Sequence, residues 1–225
     1  MSALGRKAFA SLAILIVVMA SLIFAAAGTV HYWQGWLFLL VYFAASLAMT
    51  LDLLRRDRAL LERRMRGGPF AEKEPAQRLI MAVISVGFIG LIVVSGLDHR
   101  FDLSHMAPPV AVGGDALVLL GFAGIFLVFR ESSFAAATIE VANDQRVIST
   151  GPYAIVRHPM YAAALILLAG IPIALGSWWG LLTIGTIVPF LIWRLLDEER
   201  FLGLNLPGYR AYQSRVRYRL VPWLW

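Results

Sequence analysis

Six long apolar runs organise the chain, at approximately residues 8–28, 35–54, 78–97, 110–129, 160–175 and 177–196. A helix needs about 20 apolar residues to cross a hydrocarbon core of roughly 30 Å, and in lipid the backbone must satisfy its own hydrogen bonds. Each run therefore reads as a helix, and the chain as an all-α integral membrane protein with about six transmembrane helices. The fifth run is short, and "ALGSWWG" (174–180) places turn formers between it and the sixth. The last two runs are thus expected to form a helical hairpin with its tip near Ser177.

Composition agrees with the pattern. Of 225 residues, 60% are hydrophobic and 15% charged, with a mean hydropathy of +0.73, beyond the apolar share of soluble domains. Charge sets the orientation, because Lys and Arg collect on the cytoplasmic side of membrane proteins. With six spans both termini share a side, and that side holds every Lys and Arg except Arg100. A multi-pass protein with cytoplasmic N- and C-termini is expected; one span more or fewer would scatter the charges. The net charge is +6 and the pI about 10.1, but every basic cluster abuts an apolar span. Anionic lipid headgroups, not nucleic acid, are therefore the expected counter-charge. The absence of cysteine excludes disulfides and thiolate metal sites. The first run follows Arg6-Lys7 and precedes "FAAAG", the outline of a signal peptide, yet Ala8 to Phe24 is longer than the usual apolar region of one and reads as a retained helix.

Residues 1–97 read as a three-span scaffold and 98–225 as the functional core, which includes a cytoplasmic loop (130–159) and a C-terminal tail (197–225). "HYWQGW" (31–36) suits the outer interface, where amphipathic rings settle. The segment 55–75 alternates charge and is expected to start as a short surface helix, ended by Gly67-Gly68-Pro69, forming a lipid-facing collar rather than a site. Asp98, His99, Asp102 and His105 are metal-donor types without a metal-site spacing, so no metal is expected. Pro108-Pro109 fits the start of a helix, and Asp115 a place near it, where the dipole favours a carboxylate.

The polar segment 130–159 is too long for a minimal connector, and such loops are uncommon unless they bind something. It ends in "GPYAIVRHPMYAA" (151–163), with Tyr153, Arg157, His158 and Tyr161 gathered at the start of the fifth run. His158 lies 19 residues before Ser177 and Glu198 lies 21 after it. At about 1.5 Å per residue, both stand roughly 28–32 Å from the hairpin tip and meet at one depth. Arg194 shares a face with Glu198, one turn deeper. Asp197-Glu198-Glu199 is a poor helix end, since the macrodipole disfavours carboxylates there, and so calls for cationic partners. Arg157 and Arg194 have an ordinary reading as snorkelling anchors, and Pro159 as a first-turn proline. The tail 200–225 interleaves Tyr209, Tyr212 and Tyr218 with arginines and reads as an amphipathic lid on the headgroups.

"TGPYAIVRHPMY" (150–161), the hairpin, "RLLDEERFL" (194–202) and "PGYRAYQSRVRYRLVP" (207–222) together resemble the isoprenylcysteine carboxyl methyltransferase family and its relatives, the phospholipid methyltransferases. The resemblance spans about residues 96–225 and is shared in part by membrane sterol reductases. It implies an S-adenosylmethionine-dependent methyltransferase whose cofactor lies at the cytoplasmic face. Tyr153, His158, Pro159, Met160 and Tyr161 match the family's cofactor segment, and Gln145, Arg146, Val147 and Ile148 a preceding strand-like stretch. Glu198 matches the carboxylate that takes the cofactor's amino group, and Thr138 aligns with a further cofactor contact. Arg194 matches the arginine that meets the methyl acceptor, as catalytic and substrate-binding residue. Ala163 stands where the family has glycine, and Ser132 or Ser133 where Asn is expected.

The expected substrate is lipophilic, a small molecule or lipidated partner dissolved among membrane lipids, and its acceptor group a carboxylate, already nucleophilic and in need of alignment only. Three other readings stay open: a phospholipid amine N-methyltransferase, which needs a base such as Glu199 or His158; a sterol-reductase-like NADPH enzyme; and a non-enzymatic membrane scaffold. Acceptor identity and oligomeric state are not legible.

Overall fold

The computed structural model describes residues 2–72, 74–135, 137–139, 141 and 145–225, and among them the secondary structure is helical throughout, with no strand. Helices α1 (Ala3–Ala27) and α2 (Trp33–Arg56) are followed by a short basic helix, α3 (Arg58–Met65), and then by α4 (Pro75–Phe101) and α5 (Pro108–Glu131). After the polar segment come α6 (Pro159–Ala174), α7 (Trp178–Asn205) and a short α8 (Tyr209–Arg215). Five of these, α1, α2, α4, α5 and α7, are long and apolar enough to cross a membrane. With 16 residues, α6 is shorter, about 24 Å, and forms the short arm of the hairpin with α7. The chain is an all-α integral membrane protein, and all six apolar runs are helices.

Helix starts follow local chemistry. Pro75, Pro108 and Pro159 each open a helix, where a missing N–H costs nothing. Asp57 caps α3 by accepting from Leu60 N at 2.9 Å, and Ser177 caps α7 by accepting from Gly180 N at 2.8 Å. The turn before α7 is fastened to the end of α4, where the Ser104 hydroxyl donates to Asp98 at 2.7 Å and the Ser177 hydroxyl donates to the same carboxylate oxygen. Tyr32 stacks on His99 at 3.9 Å and donates its hydroxyl to the Leu175 carbonyl. Asp98 and His99 thus tie the far end of the bundle together. Tyr32, expected at the outer interface, is buried there, while Trp33 and Trp36 remain exposed.

Small residues let α5 and α6 approach closely. A Cβ at Gly114 would lie 2.1 Å from Ala174 N, one at Gly121 would lie 2.5 Å from Leu167 Cβ, and one at Gly124 would lie 2.7 Å from Ala163 Cβ. Close backbone contact of this kind is the packing device of membrane helices. It also explains Ala163: the room that a glycine would give on α6 is supplied by Gly124 across the interface. Against this pair, Met19, Ile23, Phe38, Leu91, Ile171 and Ile187 form a core shared by α1, α2, α4, α6 and α7.

Two local expectations are corrected. Residues 145–148 are irregular rather than strand-like. Asp115 is the eighth residue of α5, beyond the reach of its N-terminal dipole, and is buried with neither carboxylate oxygen hydrogen-bonded among the described residues.

Gly121→Val should therefore lower stability by about 1–3 kcal/mol through overpacking. Thermal unfolding in detergent measures it, and Gly113→Ala, where a Cβ meets open space, should not lower the unfolding temperature.

Candidate functional site

The start of α6 is held by the C-terminal tail. Arg157 N donates to the Tyr218 carbonyl and His158 N to the Arg219 carbonyl, both at 2.9 Å. The Tyr212 hydroxyl donates to the Tyr153 carbonyl at 2.8 Å. The tail thus acts as a lid clamped onto the segment before α6, through backbone bonds that no side-chain pattern announces.

One carboxylate from α7 completes the clamp. Glu199 is 7% exposed and pairs with Arg157 Nε at 2.7 Å, His158 Nε2 at 3.2 Å and Arg219 Nε at 3.0 Å. The hairpin does bring His158 level with the acidic end of α7, but its direct partner is Glu199, not Glu198. Arg157 is a buried ion-pair member, not a snorkelling anchor. The helix end expected at Asp197-Glu198-Glu199 is not there: α7 continues to Asn205, and the three basic groups answer the burial of the Glu199 carboxylate rather than a helix dipole.

Glu198, one position earlier and so about 100° around the helix, faces elsewhere. It accepts from the Tyr161 hydroxyl at 2.7 Å. Arg194, one turn deeper, is buried and donates to Gln77 Oε1 at 2.8 Å, Glu72 Oε1 at 2.6 Å and the Ala137 carbonyl at 2.9 Å. Gln77 also donates to Asp197 at 2.9 Å. The 55–75 segment is therefore more than a collar: its Glu72 reaches under the protein to the Arg194 guanidinium.

Between these groups lies a cavity of about 330 Å³. Thr138, Gln145, Arg146, Val147 and Ile148 line one side; Tyr153 and the run His158, Pro159, Met160 and Tyr161 line another; Arg194 and Glu198 close it from α7. The residues matched to the cofactor segment, with Arg194, line this one space, whereas Glu199, Ser133, Ala163 and Tyr218 do not. Met81, Ile84, Ile125 and Leu191 make its deep end apolar, whereas the Arg- and Glu-bearing end lies where the loops and lid converge. Tyr209 lines it as well, its hydroxyl buried and without a hydrogen-bond partner among the described residues. Burial, with the Glu198 charge adding to it, pushes the Tyr153 and Tyr209 hydroxyls well above their ordinary pKa, and burial pushes Tyr212 up to about 12. All three remain protonated near neutral pH. Burial also pulls the Arg64 guanidinium below its usual value at the cavity wall.

Comparison with known families identifies the segment. Residues 110–205 match the phospholipid methyltransferase family. The phospholipid methyltransferase match implies a methyltransferase embedded in the membrane, and it covers α5, the loop, α6 and α7 as far as Asn205. His158, Tyr161, Arg194 and Glu198 lie inside it; Arg64, Glu72, Tyr209 and Tyr212 lie outside it. No curated protein matches the chain.

Sequence reasoning missed Arg64, Glu72, Gln77 and the buried Tyr209. Arg64 sits among basic residues of identical surface appearance, and Glu72 beside a turn; only the return of that turn beneath α7 distinguishes them. Of Ser132 and Ser133, either of which could stand where Asn was expected, Ser132 lines the cavity and accepts from Phe134 N at 3.2 Å.

Glu199→Gln should cost about 3 kcal/mol or more, because it leaves the buried Arg157 cation without a counter-charge. Glu198→Gln, which alters one hydroxyl contact, should cost about 1 kcal/mol or less. Unfolding of the two variants in the same detergent checks the contrast.

Proposed function

We propose that the cavity binds S-adenosylmethionine and that the protein transfers its methyl group to an anionic, lipophilic acceptor at the cytoplasmic face. The observation that carries this reading is Glu198: a carboxylate aimed into a cavity that is polar at the end where the loops converge and apolar toward the membrane interior. The residues fit the group. Glu198 suits its ammonium, the unpartnered Tyr209 hydroxyl and the N–H groups of the 145–148 stretch suit its polar edges, and Tyr153 and Tyr161 offer aromatic surface to a cation. S-adenosylmethionine supplies a methyl group on a positively charged sulfur that departs as a neutral thioether.

The protein's share of the chemistry is alignment and exclusion of water. His158 is held by Glu199, Glu199 by Arg157, Arg219 and the His158 ring, and Glu198 by Tyr161, so these groups are already occupied rather than poised as bases. A carboxylate acceptor needs no proton removed, and positioning at near-attack distance suffices. The basic end is the cytoplasmic one, reached by a soluble donor, while the acceptor arrives from the lipid. A second reading, methylation of a phospholipid amine, draws on the family's name and on one contact: Glu72 already compensates the Arg194 charge, leaving less pull on an anion.

Calorimetry in detergent tests the donor. S-adenosylhomocysteine should bind with measurable heat, and Glu198→Gln should weaken it by about 1–3 kcal/mol, as for a lost charged hydrogen bond. Heat with NADPH instead would support reduction, and silence with both a scaffold.

A further inference from the structure

Arg194 poses a problem for any acceptor that uses it. Of the five N–H donors on a guanidinium, three already serve Gln77, Glu72 and Ala137. The ion pair with Glu72 is buried on both sides, at 7% and 3% side-chain exposure. A cation at this depth requires a counter-charge, and once it has one, a second anion gains little by approaching. Glu72 and Gln77 stand outside the cavity lining, but Ala137, which shares Arg194 Nη2 with Glu72, belongs to it, so the Glu72 position on the guanidinium lies at the cavity's edge.

The segment carrying Glu72 passes through a glycine in an unusual backbone conformation. Gly68 has φ +120° and ψ 170°, a backbone region open essentially to glycine alone, and a Cβ there would meet nothing within 4 Å. Phe70 is 98% exposed and contributes no packing that would hold the segment down. Among the described residues, the segment is also held by a hydrogen bond from Arg78 Nε to the Glu72 carbonyl at 2.8 Å, by the contact of residues 69–71 with α4 and by the approach of Gly67 to Ala137.

We propose that Glu72 is a stand-in for the acceptor: its carboxylate occupies the place on Arg194 that the acceptor's anionic group takes, and residues 67–72 form a latch that acceptor binding releases. The inference rests on the anionic-acceptor reading. It reconciles a fully compensated arginine with recognition of an anion, because one carboxylate exchanges for another and the buried charge is never left alone. It also makes Glu72 a specificity residue: a neutral or cationic acceptor cannot replace it.

The chain has no cysteine, so a single spin label at Phe70→Cys reports on the latch in the full protein in nanodiscs. N-acetyl-S-farnesylcysteine, a lipid-linked carboxylate, should raise label mobility, and its methyl ester, with the same tail and no charge, should not. Glu72→Gln should be mobile without ligand, and its KM for the acid should fall, by about tenfold if the closed latch leaves one molecule in ten competent, with KM for the donor unchanged. An immobile label in both the acid-treated protein and Glu72→Gln would overturn the latch, as would an unchanged or higher KM for the acid in a Glu72→Gln protein of normal unfolding temperature. The label readout does not depend on turnover, so failure of the latch and failure of methyl transfer are separable: the first leaves donor binding heat intact, the second abolishes it.

Discussion

A single buried carboxylate holds the functional half of this protein in register. Glu199 takes Arg157 and His158 from the start of α6 and Arg219 from the tail, so three segments distant in sequence converge on the end of α7. The buried Arg157 guanidinium and the buried carboxylate would each be costly alone; together they satisfy one another. With Glu199 turned to this structural duty, Glu198 is left to face the cavity. Adjacent identical residues thereby acquire opposite roles from a rotation of about 100°.

The convergence also needs α6 held in place. Gly114, Gly121 and Gly124 bring α5 against α6 at backbone distance, and the Asp98–Ser177–Ser104 cluster fixes the turn at the far end. Small residues in the membrane and hydrogen bonds at its edge thus determine where His158 and Glu198 stand, about 30 Å from the turn. Arg194 performs a comparable service on the other flank, drawing Glu72, Gln77 and Ala137 together beneath the cavity.

Much of this was legible in the sequence because membrane insertion imposes a coarse code. Apolar run lengths gave the six helices, and arithmetic about Ser177 placed His158 level with the acidic end of α7. The arithmetic could not say which glutamate would answer the histidine, since depth is a matter of residue count and facing a matter of rotation. Glu72 was illegible for another reason: its segment looks like surface, with a turn, alternating charge and an exposed Phe70, and nothing local reveals that it folds back onto a buried arginine. The tail's backbone bonds to Arg157 and His158 likewise carry no side-chain signature. The burial of Asp115 was hidden by its short distance from two prolines, which suggests a helix start and not a helix interior.

The most direct test of the account is a crystal structure with S-adenosylhomocysteine bound. The account predicts the ligand between α6 and α7, its amino group within hydrogen-bond distance of the Glu198 carboxylate and its adenine against residues 145–148. Ligand density elsewhere, or a cavity filled by lipid while Glu198 faces water, would contradict it.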